Sequence, residues 1–295
     1  MWKSPRAFGA AMVIVSAVVM TAARQPEWQH VRHSRVLHGP EVNVGGGTAR
    51  LFVEVGVKGE PQSLGIKLTD QALGGLARRM NTTSRCWDKN GDGTASHGEC
   101  LGDYEAVLAL PPGAEGLGLP VRWATVNWNP EGHLAPAPPV WSAAHFDFHF
   151  FLVDSALIRG IRTGPCAEFI HCDDFARAQR PLPPAQVPDG YIDVGAAVAG
   201  MGNHLVDSRD PELADPALGF SRTFIYGTYD GRLIFLEPMV SHAYLMSRPQ
   251  ECTPLRTPRS VARAGWYPTR YCVRHDPGEG THRVTLEGLL YRKAG

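Results

Sequence analysis

No run of lysine and arginine stands out in this chain, and no basic residues interleave with aromatic ones in a stripe. That argues against nucleic acid as the main partner, because binding a phosphate backbone needs concentrated positive charge. The 29 basic residues balance 29 acidic ones, so the formal net charge is zero. GxSxG, HExxH and phosphate-cradling glycine loops are all missing. Their absence removes the usual signatures of serine hydrolases, zinc proteases and nucleotide-binding enzymes. Beyond residue 23 there is no long apolar run, so no later segment is expected to span a membrane. CxxC spacing is absent too, which argues against a thiolate metal site. There is no internal repeat and no low-complexity segment.

What is present begins with a targeting segment. Lys3 and Arg6 precede an apolar stretch from Ala7 to Met20, and Thr21-Ala22-Ala23 offers small residues for cleavage. Residues 1–23 therefore read as a secretory signal peptide. The alternative is an uncleaved N-terminal anchor, for which the apolar run is short. No cysteine follows it, which argues against a lipid anchor. The expected location is secreted or periplasmic. Six cysteines, an even number in an exported chain, argue for disulfides. Sequence neighbours suggest Cys86–Cys100, Cys166–Cys172 and Cys252–Cys272.

Hydrophobic content of 43% with 20% charge marks a folded globular protein. Glycine (32) and proline (24) are spread along the chain, which fits many turns and short strands. The expected fold is all-β, a β-sandwich or barrel-like, with short helices, as one domain over residues 24–295. Strands are expected at Thr48–Val57, with Leu51, Val53 and Val55 on one face, at 65–68, over VRWATVNW from Val121, and near 191–194, 240–245, 266–273 and 282–290. Thr69-Asp70 followed by QALGGLARRM reads as a capped short helix. The run at 135–139 is a proline-rich connection. TFIYGTYDGRLIFLEP reads as a hairpin turning at Asp230-Gly231, with Leu233, Phe235 and Glu237 on one face of its second arm. A carboxylate on an apolar face needs a cation or donor beside it, unless it sits at the solvated rim.

The stretch with the most chemistry is His145-Phe146-Asp147-Phe148-His149-Phe150-Phe151. Period-two alternation marks a strand with two unlike faces. Phe146, Phe148 and Phe150 belong to a core. His145, Asp147 and His149 on the other face are either a metal or catalytic site or a fully hydrogen-bonded buried network, because unpaired polar groups there are costly. Residues two apart on a strand face lie roughly 6.8 Å apart and can share an ion; His145 and His149, roughly 13.5 Å apart, are near the limit of joint reach. One ion is thus expected to take an adjacent pair, with the remaining residue orienting a ligand. His204, in the glycine-flanked turn GMGNH, and Glu237 complete the expected sphere, with His133 as a fallback. Such a donor set suits zinc, iron, manganese, nickel or copper. Three protein ligands with an open position make a catalytic arrangement, in which Asp147 or Glu237, if not a ligand, serves as general base.

Asp88–Glu99, DKNGDGTASHGE, is a different kind of segment. It resembles the twelve-residue EF-hand calcium loop, with Asp88, Asn90 and Asp92 at positions one, three and five and Gly93 at the sharp turn. Thr94 supplies a backbone carbonyl at seven, Ser96 stands at nine, and Glu99 is the bidentate carboxylate at twelve. Ala95 departs from the usual larger aliphatic at eight, and there is no second loop to pair with. The other reading is a plain Asp/Asn/Gly turn. Cys86 and Cys100 bracket the loop, and residues 81–110 are expected to form a surface insertion carrying calcium.

The blocks VNWNPEGH, HFDFHFFLVD, MGNHLVD, TFIYGTYDGRLIFLEPMV and GWYPTRYCV occur in that order. Together they resemble a family of exported bacterial proteins of unknown function, over most of the chain outside the calcium loop. The resemblance implies a β-rich secreted domain and supplies no reaction. Two functions are therefore expected. The first is an exported metal-binding protein that acts as a metal-dependent enzyme on a small molecule. The second is a non-enzymatic binding or assembly protein with calcium as its only ion. A homo-oligomer is compatible with either, since edge strands can self-pair.

Overall fold

Beyond Met1, the computed structural model describes residues 33–96, 98–133 and 140–295. The expected signal peptide and the proline-rich run at 135–139 lie outside the described residues. Two seven-stranded antiparallel sheets dominate. The first is ordered His33–His38, Gly47–Gly56, Pro61–Thr69, Thr281–Glu287, Arg270–Asp276, Gln250–Pro254, with Val42–Val44 also paired to Gly47–Gly56. The second is ordered Tyr191–Val198, Gly202–Asp207, Arg222–Tyr229, Arg232–Ser241, His145–Phe151, Trp123–Asn129, Tyr104–Ala109. Within it the aromatic strand, His145–Phe151, is bonded on both sides.

Alternation decides which face goes where. Leu51, Val53 and Val55 of the first sheet and Phe146, Phe148 and Phe150 of the second are fully buried in one shared core. Burying each phenylalanine contributes about 1.5–3 kcal/mol, so the three fix the register of the aromatic strand. The opposite face of that sheet is also covered. Phe151, Phe235, Met239 and Ile225 pack there against Trp141, Ile158, Ile161, Ile170 and Met201 in a second core. His145, Asp147 and His149 point into this second interior and are buried.

All three expected disulfides are present: Cys86–Cys100, Cys166–Cys172 and Cys252–Cys272. Two of them link residues directly opposite one another across strand pairs. The hairpin turns at Asp230 and Gly231, both at positive φ (54° and 71°), as a two-residue turn between twisted strands requires.

Three local expectations change. After Thr69 only a short 3-10 turn forms, Asp70–Leu73. Gly74-Gly75 then ends it, and the Gly74 carbonyl accepts a hydrogen bond from Gly46 N–H. Past Ser241 the chain does not continue as a strand but enters a short helix, His242–Met246, because the Ser241 hydroxyl caps it by accepting from Tyr244 N–H. Leu233 leaves the face of Phe235 and Glu237, since the register slips between Gly227 and Thr228 and Leu233 packs instead against the main core. Gly227 stands opposite Phe235 there, and a β-carbon on it would lie 2.1 Å from the ring.

The segment expected as an insertion divides. Asn81–Cys86 and Cys100–Gly102 form a small separate ribbon that carries residues 87–96, 98 and 99. Tyr104–Ala109 is instead the edge strand of the second sheet. No helix among the described residues is long and apolar enough to cross a membrane.

Candidate metal centre

The buried polar row is matched on the adjacent strand. Asn129 lies opposite His145, Asn127 opposite Asp147, and Thr125 opposite His149. All three are buried and share the polar face. Glu237 comes to the same side from the next strand, whose Met239 lies opposite Asp147. His204 arrives from two strands further on, paired with Gly227 of the strand between.

The five residues expected at one centre are drawn together, but they divide between two groups, and His133 joins one of them. His149, His204 and Glu237 form the first. His149 Nε2 lies 3.5 Å from Glu237 Oε1, and His204 Nε2 lies 3.9 Å from Glu237 Oε2. His133, His145 and Asp147 form the second. Here His145 Nε2 is 3.2 Å from Asp147 Oδ1, and His133 Nε2 is 3.4 Å from Asp147 Oδ2. The strand repeat is the reason for the split. Adjacent same-face residues reach one point, while His145 and His149 do not.

Hydrogen bonding fixes the tautomers. His204 Nδ1 lies 2.8 Å from the Ala196 carbonyl, which only accepts, so the proton is on Nδ1 and Nε2 is bare. His149 is fixed through Asn127. The Asn127 amide nitrogen donates to the carboxylates of Asp103 and Glu105, so its oxygen must be the atom facing His149. That oxygen accepts from His149 Nδ1 at 3.2 Å and from the Thr125 hydroxyl at 2.7 Å. Asp103 is itself held by Arg85.

Two bare imidazole nitrogens therefore face one carboxyl group. Burial pushes the imidazoles down, His149 to about 3 and His204 to about 4, so both stay neutral. Burial, with the nearby Asp147 charge, pushes Glu237 well above the usual carboxyl range. A single proton on Glu237 can serve only one imidazole, and 3.5–3.9 Å exceeds hydrogen-bond length. His149 Nε2 and Glu237 Oε2 have no hydrogen-bond partner. Donors on a tetrahedral zinc lie about 3.3–3.6 Å apart, given bonds of ~2.0–2.2 Å. Asp147 differs. Burial raises it, but His145 and His133 outweigh that and hold it well below the ordinary value.

Both groups meet one cavity of about 240 Å³, lined by His133, Asp147, His204 and Glu237 together with Trp141, Phe169 and Met201. One wall comes from the ribbon of the expected calcium loop, through Lys89, Gly98, Cys100 and Leu101. Lys89 Nζ sits 4.5 Å above the Phe169 ring. The loop thus borders the site, where the sequence suggested a separate decoration.

Within that loop the Asp88 carboxylate accepts from Gly91 and Gly93 N–H, and Asn90 Oδ1 accepts from Asp92 N–H. Asp92 Oδ1 accepts from Thr94 N–H. Glu99 accepts from Lys89 and Asn90 N–H through one oxygen and from Ser96 through the other. Strands, not helices, flank the loop.

Sequence reading missed Thr125, Asn127 and Asn129 as partners of the site. Their period-two spacing in WATVNWN was the available signal. Arg85 and Asp103 gave none. The fold and site together define a mostly-β protein with buried His/carboxylate clusters suited to a metal ion. No protein family, curated protein or solved structure matches the chain.

Proposed function

We propose that this chain is an extracytoplasmic metal-binding protein whose His149–His204–Glu237 group holds a divalent transition metal. Zinc suits two imidazoles and a carboxylate with one position left open, and the His149–Glu237 separation of 3.5 Å falls within the tetrahedral donor spacing. The carrying observation is that the Nε2 atoms of His149 and His204 converge on the buried Glu237 carboxyl group, at 3.5 and 3.9 Å, and that His149 Nε2 and Glu237 Oε2 are buried without a hydrogen-bond partner. Bound there, the ion would supply Lewis-acid activation. The adjoining cavity suits a metal-dependent enzyme acting on a small molecule.

The loop 88–99 is proposed as a calcium site, on the strength of its oxygen-rich ligand pattern and the Cys86–Cys100 bridge that closes it. Three disulfides and the N-terminal apolar segment support export. A β-sandwich is the architecture proposed, because both large sheets feed one core. The block pattern supports membership of the exported family of unknown function.

The test is metal analysis of untagged protein. A stoichiometric transition metal that is lost in His149→Ala or His204→Ala is the expected result. Calcium alone, with those variants merely less stable, would overturn the metal centre and favour a non-enzymatic binding or assembly role.

A further inference from the structure

We propose that His133, His145 and Asp147 hold a second divalent metal, so that the cavity carries a two-metal centre. The pairing rests on the reading of His149, His204 and Glu237 as the first site; the second site has geometry of its own. His145 Nδ1 lies 2.6 Å from the Ala143 carbonyl. A carbonyl only accepts, so Nδ1 carries a proton and Nε2 is the atom that can offer its lone pair to a metal. That lone pair faces Asp147 Oδ1 at 3.2 Å. Both atoms are buried, and neither has a hydrogen-bond partner. A ring nitrogen and a carboxylate oxygen held face to face inside a protein need a cation between them, a metal ion or the proton of an imidazolium, and only a metal ion adds to the zinc count.

The rest of the group fits that cation. Asn129 donates to Asp147 Oδ2 at 2.7 Å, which fixes the carboxylate plane and leaves Oδ1 to bind. His133 Nε2 approaches the same carboxylate at 3.4 Å. The His145–Oδ1 separation is close to the donor spacing of a tetrahedral ion, about 3.3–3.6 Å, and the donor atoms of all three residues lie within 4.8 Å of one another. His133 is partly exposed while His145 is fully buried, so the open coordination position faces the cavity. Asp147 and His149 are neighbours on one strand face, which sets the two ions about one strand repeat, ~7 Å, apart. That is wider than the roughly 3.5–4 Å of ions that share a bridging ligand, so each ion is held by its own three residues.

Zinc titration by calorimetry, with metal analysis after dialysis, tests this. Wild type, His133→Ala, His149→Ala and the double variant are compared, with circular dichroism to confirm folding. His133 is at the cavity edge, so its truncation should leave the fold intact. The expected result is two zinc ions lost in the double variant and one in each single variant. If His149→Ala loses one ion and His133→Ala loses none, the second site is overturned and the first stands. If neither single variant changes the count, both are overturned.

Discussion

Replacing Asn127 by leucine tests whether the hydrogen bonds behind the proposed metal centre set its affinity. Leucine keeps the branching and heavy-atom count but removes the oxygen that accepts from His149 Nδ1 at 3.2 Å. Asn127 is fully buried, so water cannot readily replace it. His149 Nδ1 then faces only the Thr125 hydroxyl, 3.4 Å away, so its proton can move to Nε2 and donate to Glu237, which opposes metal binding. Losing a partner that orients a ligating histidine typically costs 10–100-fold in metal affinity, about 1.4–2.7 kcal/mol. Burial places the expected loss towards the upper end. Asp103 retains Arg85 as a partner, so the variant should still fold. Thr125→Val is the control. It removes a hydroxyl that donates to Asn127 but leaves the Asn127 oxygen facing His149, and it should change affinity by less than about threefold. Competition with a chromophoric zinc chelator gives the affinities, and calorimetric melting reports the fold. If Asn127→Leu binds zinc as tightly as wild type, the tautomer argument is wrong.

Two further expectations concern the calcium loop and the far sheet. Calcium at 100 times its dissociation constant should stabilise wild type by about 2.7 kcal/mol, seen as a higher melting temperature than in chelator, and Glu99→Gln should lose that gain. An equal melting temperature in calcium and chelator for wild type would show the loop does not bind. Burial, reinforced by the adjacent His275, lowers His282 to about 4, below its ordinary 6.5. The unfolded chain then takes up the proton first as pH falls. The stability this histidine contributes is complete above pH 6.5 and is lost down to about pH 4, by about 3 kcal/mol at most. His282→Gln should flatten the melting curve over that window relative to wild type, and parallel pH profiles would contradict the assignment.

Alternation alone made the aromatic strand legible. Burying three phenylalanines on one side forces His145, Asp147 and His149 to the other, whatever the surroundings. Local rules also carried the Asp230-Gly231 turn and the three disulfides between sequence neighbours. They failed at Leu233, because a bulge depends on the partner strand, and at the helix after Thr69, because its glycines are recruited by Gly46 across space. The calcium-type loop could be read as a motif, but not its place on the cavity wall.

Local periodicity determined which residues of this chain are polar and buried, since it depends only on neighbours along one strand. Tertiary structure alone decided how they associate. Four strands, a covering loop and the Asn127–Asp103–Arg85 chain meet at the site from distant parts of the sequence. Their meeting divides the histidines into two groups, because a strand repeat of roughly 6.8 Å is longer than one ion can bridge twice.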